Sequence, residues 1–267
     1  MAQLSGKSAV ILGAASAGNM AQVIARRFVD EGASVMVSGR NEEELSRFSD
    51  DSGCSYGVCD ITDHGQVAKL AEQAKAQFDA VDIAINATGW GLAKPLHEVS
   101  DDELDKMVSV QFKGTHYFLA EFVKTMMSNG SSGGSLINIS SATTAALINN
   151  YASYIATKAG SEAMVRCVAN DYGQYGIRAN SISPALTKTP MTEASFAIPG
   201  LAGAFVARNP LGRLNTSEDI AKAAVWLAGD QAFITGENLQ VNGGLTLRGN
   251  PQAGDIQQAI AAASAGS

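Results

Sequence analysis

The fold is decided by residues 8–38, SAVILGAASAGNMAQVIARRFVDEGASVMVS, in which an apolar run, a turn with two glycines and an amphipathic stretch follow one another. The apolar run Ser8–Leu12 predicts a buried strand, and Asn19–Glu31 has the periodicity of a helix. Gly32 follows that helix as a capping glycine, and Ser34–Ser38 predicts the next strand. Strand, crossover helix and strand in this order form one βαβ unit, so the stretch predicts the start of a parallel sheet.

The rest of the chain continues the same alternation. Short runs rich in β-branched residues predict five more strands, at Ser55–Val58, Val81–Ile85, Ser135–Ile139, Ile177–Ile182 and Asn238–Val241. Helical stretches separate them at Asp63–Gln77, Asp101–Met127, Ala152–Tyr172 and Ser217–Leu227, with Asp101 or Ser217 as caps. The sequence therefore predicts an α/β fold, a Rossmann-like doubly wound parallel sheet of about seven strands. We expect one domain at residues 1–246, and a C-terminal tail of uncertain order at residues 247–267.

Composition narrows the function classes. With 267 residues, 46% hydrophobic and 17% charged, the chain is suited to one compact domain rather than to a disordered or collagen-like chain. The net charge is −7, and basic residues are scattered except for Arg26 and Arg27, which argues against nucleic-acid binding. There is no charged leader before an apolar run, and no run of eighteen apolar residues, so we expect a cytoplasmic protein without a membrane segment.

The cysteines and histidines do not suggest a metal site. Three cysteines without Cys-x-x-Cys spacing predict free thiols rather than a disulfide framework or zinc ligands. The three histidines also lack the spacing of metal ligands. These residues are Cys54, Cys59, Cys167, His64, His97 and His116.

The turn Gly13–Asn19 lies between the first strand and the first helix. Free main-chain N–H groups and the positive end of a helix at this place favour a pyrophosphate, as in dinucleotide-binding folds. Two glycines in such a turn also occur as plain punctuation before a helix, so the turn by itself leaves both interpretations open.

The end of the second strand bears on the choice of nicotinamide cofactor. The residues there are Ser38, Gly39 and Arg40. A carboxylate would favour a ribose hydroxyl, whereas a guanidinium can bind a 2′-phosphate, so the sequence favours NADP(H), with NAD still possible. Arg40 could equally be a solvated loop residue. Asp60, after the third strand, could cap the next helix or bind an adenine amine.

Tyr154 and Lys158 are four residues apart in a helical stretch, and Ser140 and Ser141 end the strand before it. On a helix the two side chains share one face, and an ammonium near a phenol lowers the phenol's pKa, which suits proton transfer. The alternative is an ordinary surface pair. Hydroxyl groups from a strand end and from the next helix can converge at the carboxyl edge of a parallel sheet, where ligands bind.

Seven segments in order resemble the short-chain dehydrogenase/reductase family, over about residues 5–246. They are Leu12–Ser16, Cys59–Thr62, Ile85–Gly89, Ile137–Ser141, Tyr154–Gly160, Ile182–Thr189 and Val241–Gly244. The resemblance implies that Tyr154 is the general acid/base, that Lys158 lowers its pKa and holds the nicotinamide ribose, and that Ser141 orients the carbonyl. The implied catalytic group is Ser141, Tyr154, Lys158 and Gln111. The implied cofactor-binding residues are Gly13, Ser16, Gly18, Asn19, Arg40, Asp60, Ile61, Asn86, Thr88, Gly89, Tyr154, Lys158, Pro184, Thr187 and Thr189.

The chain departs from the family pattern at several places. Ala17 and Asn19 stand where later turn glycines are usual, and Gly18 replaces an apolar residue, so the turn is expected to be shifted or reshaped. Gln111 stands where an asparagine usually completes the proton relay, and the longer side chain could preserve, move or lose that relay. Tyr151, seven residues before the lysine, occupies the position of the catalytic tyrosine in the enoyl-reductase branch.

The resemblance implies hydride transfer between NADP(H) and a ketone or secondary alcohol. The alternatives are an enoyl (C=C) reductase and a nucleotide-binding protein without turnover. Residues 189–211 correspond to a mobile substrate lid, and analogy implies a homotetramer. Apolar side chains that could line a hydrophobic pocket, or serve as core or subunit contacts, are Met191, Phe196, Ile198, Leu201, Phe205, Trp90, Leu92 and Leu147.

Overall fold

Seven parallel strands form one twisted sheet in the computed structural model, which describes residues 2–129 and 133–265. The strands lie side by side in the order β3-β2-β1-β4-β5-β6-β7. This order changes direction between β1 and β4, so that the loops after these strands diverge and leave a crevice at the carboxyl edge. The strands are β1 (Ser8–Leu12), β2 (Ser34–Gly39), β3 (Ser55–Val58), β4 (Ile83–Asn86), β5 (Gly134–Ile139), β6 (Ile177–Pro184) and β7 (Asn238–Val241).

Helices cover both faces of the sheet. On one face α1 packs beside α9, and on the other α3 and α5 pack together, with α6 next to α5. The helices are α1 (Met20–Asp30), α2 (Glu42–Ser52), α3 (His64–Phe78), α4 (Asp101–Val108), α5 (Gly114–Met127), α6 (Ala152–Tyr172), α7 (Glu193–Phe196), α8 (Leu201–Arg208), α9 (Ser217–Ala228), α10 (Leu245–Arg248) and α11 (Ala253–Ala265).

Two apolar cores hold these layers. Phe28 of α1 is fully buried on the first face, and Phe118 and Phe122 of α5 are fully buried on the second. Alternate residues of β1 serve the two cores, since Ile11 packs on the first face and Val10 on the second. Burial of such side chains is the main favourable contribution to folding, so the sheet provides a rigid base for the loops at its carboxyl edge.

The predicted α/β class and doubly wound seven-stranded sheet are confirmed. The strand predicted at residues 81–85 lies at Ile83–Asn86, and the helix predicted at residues 101–127 is continuous but contains a π-helical turn at Ser109–Lys113. The caps lie one residue before the predicted ones: Ser100 and Thr216 form capping boxes in which each hydroxyl accepts a main-chain N–H. The sequence analysis did not predict α2, α7, α8, α10 or α11.

The predicted tail of uncertain order, residues 247–267, contains the end of α10 and, up to residue 265, all of α11. Gly249, with φ of +78°, lets the chain turn between α10 and α11. Helix α11 then packs against α8.

Cys54 and Cys59 are buried and Cys167 is exposed, and all three are free thiols. Within residues 2–129 and 133–265, no three His, Cys, Asp or Glu side chains are grouped so as to hold a metal ion. No helix in the described part of the chain has the length and apolar character needed to cross a membrane.

Candidate active site

The turn after β1 is packed tightly on one side and open on the other. Gly13 has φ of +116°, and a Cβ there would lie 2.9 Å from the carbonyl carbon and oxygen of Ala87. Ser16 and Gly18 are exposed, and a Cβ on Gly18 would meet no atom within 4 Å. The turn therefore needs glycine at residue 13 to approach β4, while its outer side has room for a ligand at the start of α1.

Asn19 closes the turn. Its Oδ1 accepts the N–H of Gln22 at 3.0 Å, and its Nδ2 donates to the main-chain oxygen of Gly13 at 2.7 Å. Gln22 is buried, accepts the N–H of Gly18 at 2.8 Å and donates to the oxygen of Ala14 at 3.0 Å. Two side-chain amides, those of Asn19 and Gln22, thus brace the turn. The sequence analysis missed Gln22; the signal was a polar residue on the inner face of an amphipathic helix.

Arg40 and Asp60 lie next to each other at the ends of β2 and β3. A guanidinium nitrogen of Arg40 is 3.6 Å from the Asp60 carboxylate, and the Arg40 side chain is 76% exposed. Burial alone would raise the pKa of Asp60, but hydrogen bonds from the N–H and hydroxyl of Thr62 outweigh it and lower the pKa, as does Arg40. Arg40 is therefore free to turn toward a ligand. The neighbouring Ile61 is buried against Gly114 of α5.

Asn86 supports the site from below. Its Nδ2 donates to Asn138 at 3.0 Å and to Thr115 at 3.2 Å, and its Oδ1 accepts the N–H and hydroxyl of Thr88 at 3.1 and 2.7 Å. These bonds occupy both ends of the Asn86 amide. The amide therefore fixes the loop at Thr88 and does not face outward. A Cβ on Gly89 would lie 3.6 Å from Oε1 of Gln111, 3.6 Å from Nζ of Lys158 and 3.8 Å from Cε of Met191.

Ser141 and Tyr154 lie close to each other. Ser141 follows β5, and its hydroxyl accepts the N–H and hydroxyl of Thr143 at 3.2 and 2.9 Å. Burial raises the pKa of Tyr154, a hydrogen bond with Ser141 works against this rise, and Tyr151 adds to it. The net direction is upward, so the expected lowering of this pKa is not found in this structure. Burial of the phenol outweighs the effects that would favour its charged form.

Lys158 lies one turn after Tyr154 on α6 and is 5% exposed. Its Nζ donates to the main-chain oxygen of Ile139 at 2.8 Å, at the end of β5. Burial lowers the pKa of Lys158 to about 8, and the carboxylate of Glu162 opposes the shift. Burial therefore disfavours the charged form of both side chains of the pair.

Glu162 is a second residue that the sequence analysis missed. Its Oε1 accepts the hydroxyls of Ser140 at 2.5 Å and of Thr144 at 2.8 Å, on either side of Ser141. One carboxylate on the lysine's own helix thereby holds both ends of the turn that carries Ser141. The signal was its spacing, four residues after Lys158, which places both side chains on one helix face.

Gln111 lies in the π-helical turn, a feature that often occurs at functional sites. It is 2% exposed; its Nε2 donates to Thr157 at 2.9 Å, and its main-chain oxygen accepts hydroxyls from Thr115 at 2.8 Å and Ser161 at 2.5 Å. The side-chain Oε1 is buried and has no hydrogen-bond partner among the residues that the structure describes. A buried acceptor of this kind is costly unless something binds it, and it lies toward Gly89, beside Lys158.

The other predicted residues lie at the end of β6 and just after it, next to the loop that follows β5. Pro184 pairs with Val241 at the end of that strand. The hydroxyl of Thr187 donates to the oxygen of Ala185 at 2.9 Å, and the N–H of Thr189 donates to the hydroxyl of Thr192 at 3.0 Å. These bonds shape the start of the segment that carries α7 and α8.

The apolar side chains beside the crevice differ in how far they are exposed. Leu147, Met191 and Ile198 are largely exposed. Phe205, in α8, is nearly buried, as expected of a side chain that packs within the protein. The indole of Trp90 has the ammonium of Lys106 over its ring at 4.1 Å. Phe196, Leu201 and Leu92 are half-buried.

The arrangement fits a dinucleotide and a proton-transfer reaction. The open turn at Gly18 and the exposed guanidinium of Arg40 lie on the β1 side of the crevice, and the hydroxyls of Ser141 and Tyr154 lie on the β4 side. The buried Oε1 of Gln111 is an acceptor that a ligand or a water could use.

Comparisons with known proteins identify the fold and family. A family model described as enoyl-(acyl carrier protein) reductase matches residues 13–246. The chain is 33% identical over 255 residues to 3beta-hydroxysteroid dehydrogenase 1 of Eggerthella lenta, covering 91% of this chain and 95% of that protein. It is 32% identical to the mitochondrial borneol dehydrogenase of Lavandula x intermedia, covering 92% of each chain.

Solved structures of similar proteins have the same fold. A short-chain type dehydrogenase/reductase from Mycobacterium ulcerans superposes with a TM-score of 0.89 at 25% identity, covering 96% of this chain and 98% of that one. A gluconate 5-dehydrogenase from Burkholderia cenocepacia, solved with NADP and tartrate, gives a TM-score of 0.86 at 27% identity, covering 92% and 97%. The chain belongs to the short-chain dehydrogenase/reductase family of oxidoreductases.

Proposed function

We propose that this protein transfers a hydride between NADP(H) and a hydrophobic ketone or secondary alcohol. The observation that carries the proposal is the convergence of Ser141, Tyr154 and Lys158 at the carboxyl edge of the sheet, next to an open turn at the start of α1. The nicotinamide cofactor, when bound, supplies or accepts the hydride.

Tyr154 is the proton donor in the direction of reduction. A phenol with a raised pKa keeps its proton at neutral pH, which suits a group that must protonate a carbonyl oxygen. Ser141 donates a hydrogen bond to the same oxygen, so that charge developing there meets donors already in place. Oxidation of an alcohol is the reverse path.

Lys158 holds the nicotinamide ribose and is the next group after Tyr154 on the proton path. Its pKa of about 8 means that it carries its charge at neutral pH but can release a proton at mildly alkaline pH. The unpaired Oε1 of Gln111 lies near it, and we propose that a water bound there continues the proton path, as the usual asparagine would.

The preference for NADP(H) rests on Arg40. No carboxylate ends β2, and the exposed guanidinium forms a long ion pair with Asp60 that a 2′-phosphate can replace. The solved relative from Burkholderia cenocepacia holds NADP. In the same scheme, the turn residues Gly13, Ser16, Gly18 and Asn19 take the pyrophosphate, and Pro184, Thr187 and Thr189 flank the nicotinamide amide.

A hydrophobic substrate is supported by the exposed side chains of Leu147, Met191 and Ile198 beside the crevice. Two similar proteins are named for a hydroxysteroid and for borneol. Both are bulky alicyclic alcohols, which agrees with an apolar entrance.

A second candidate, reduction of a carbon–carbon double bond, is favoured by two observations. The matching family model carries the enoyl-reductase description, and the ring of Tyr151 lies edge-on to that of Tyr154 with ring centres 5.9 Å apart. Both phenols are thus near one place. We favour Tyr154 because burial raises the pKa of both phenols, but at Tyr154 a hydrogen bond with Ser141 opposes that rise.

The test is a titration of the purified protein with NADPH and NADH, followed by turnover assays on ketones, secondary alcohols and enones at the nicotinamide absorbance band. We expect tighter binding of NADPH and turnover of alicyclic ketones or their alcohols. Turnover of enones alone would establish the second candidate. Tight binding without any turnover would mean a nucleotide-binding protein that is not an enzyme.

A further inference from the structure

Residues 250–260, named here the clamp, join two parts of the site that are far apart in the sequence. On one side the clamp bonds to residues 146–149, in the loop between β5 and α6. Three hydrogen bonds make this connection: from Asn250 Nδ2 to the oxygen of Ala146, from Gln252 Nε2 to the oxygen of Leu147 at 3.1 Å, and from the N–H of Ala253 to Oδ1 of Asn149 at 2.9 Å.

On its other side the clamp holds α8. A guanidinium nitrogen of Arg208, at the end of α8, lies 2.6 Å from Oδ2 of Asp255. The same carboxylate oxygen accepts the N–H of Gln252 at 2.9 Å. Gly200, which precedes α8 with φ of +80°, packs so closely on α11 that a Cβ would collide with the main-chain oxygen of Ala259. Contact at both ends of α8 leaves it little freedom to move away.

Both partners of the clamp belong to the crevice. The loop 146–149 leads through Asn150 into Tyr151 and the helix that carries Tyr154, and the oxygen of Asn150 also accepts the N–H of Lys94 at 2.6 Å. Helix α8 belongs to the segment that follows β6, the strand next to β5. The clamp therefore joins the segments that follow two neighbouring strands at the carboxyl edge of the sheet.

We propose that the clamp fixes the separation between loop 146–149 and α8, and so determines how well the site binds bulky apolar substrates. This inference rests on the proposed function. The clamp acts through the two segments that it joins, loop 146–149 and α8, which are called here the walls of the site. Asn250 is its main positioning residue, because it is 3% exposed and its amide reaches the loop from the turn before α11.

The physical basis is preorganisation. A small ketone needs only the hydroxyls of Ser141 and Tyr154, whereas a bulky one also contacts both walls. If the walls are not held, their ordering on binding costs part of the binding free energy, and this cost grows with the contact that the substrate makes. Loss of the clamp should therefore raise KM in proportion to substrate size, with little change in kcat or in cofactor affinity.

The test compares the full chain with two variants, Asn250→Ala and a chain that ends at Gly249. The control is Lys7→Asp, which reverses a charge in the ion pair with Asp230 (2.9 Å) at the opposite edge of the sheet. Each protein is assayed with NADPH on cyclohexanone, a decalone and a steroid ketone, and the dissociation constant for NADPH is measured separately by nucleotide fluorescence.

We expect Asn250→Ala to raise KM about tenfold for the steroid ketone and less than twofold for cyclohexanone, with the NADPH dissociation constant unchanged. If the shortened chain does not fold, Asn250→Ala decides. Equal changes for all substrates, or none, would overturn the inference while the unaltered enzyme still turns over ketones. Absence of turnover by the unaltered chain would instead overturn the proposed function, and the inference with it.

Discussion

The ammonium of Lys158 donates a hydrogen bond to the main-chain oxygen of Ile139, 2.8 Å away, although burial has lowered the lysine's pKa to about 8. A charge in this position is held at the cost of folding stability, because the folded protein binds the proton less tightly than the unfolded chain does. Below pH 8 both states are protonated and the cost is present in full. Between pH 8 and the ordinary lysine pKa, the folded state alone loses the proton, and stability rises with pH.

Lys158→Met should therefore stabilise the protein at pH 7 while removing its activity. A pKa difference of this size corresponds to about 3 kcal/mol, reduced by the lost hydrogen bond to Ile139 to about 2 kcal/mol. Urea unfolding at pH 7 and pH 10 measures the effect, and the gain should shrink at pH 10. A variant less stable than the unaltered protein at both pH values would show that the charge is not a cost.

We expect different outcomes for two matched substitutions, Tyr154→Phe and Tyr151→Phe. Tyr154→Phe should lower kcat for ketone reduction by at least a hundredfold, because it removes the proton donor beside Ser141. Tyr151→Phe removes a hydroxyl of the neighbouring ring and should change kcat less than fivefold. Steady-state kinetics on a ketone and on an enone give both values. The opposite order, loss in Tyr151→Phe alone, would assign the chemistry to Tyr151.

Arg40→Ala should change the choice of cofactor. An exposed ion pair at 3.6 Å contributes little to stability, so the fold should tolerate the change. Loss of a guanidinium from the 2′-phosphate should raise KM for NADPH about tenfold, whereas KM for NADH should stay within twofold. Arg26→Ala, at an exposed ion pair with Asp51, is the control. Equal changes for both cofactors would place Arg40 outside the cofactor site.

Local patterns in the sequence predicted what depends on local structure. An apolar run before a glycine turn specified β1 and α1, and the spacing of Tyr154 and Lys158 specified a shared helix face, because both follow from the geometry of one element. Helix α2 was missed since its first turn holds three glutamates and only Leu45 and Phe48 are buried.

The remaining features depend on residues that meet only in the folded chain. Gln22 braces the turn through main-chain atoms whose positions the turn itself determines, and Glu162 reaches Ser140 and Thr144 at a separate strand end. Helix α11 has a composition that would suit a disordered tail, and its contacts with α8 and with loop 146–149 hold it in place. Tertiary contacts override weak local preferences at such positions.

Gln111 offers a test of the proton path. Gln111→Met removes the donor to Thr157 but also the unpaired buried oxygen, so stability should change by less than about 1 kcal/mol. If Oε1 binds the relay water, kcat should fall about tenfold or more with the NADPH dissociation constant unchanged, and the solvent isotope effect on kcat should rise. Gln77→Met, the same substitution at an exposed position of α3, should leave kcat, the NADPH dissociation constant and the solvent isotope effect unchanged. An unaltered kcat and isotope effect in Gln111→Met would mean that protons reach Tyr154 by a path that does not include this amide.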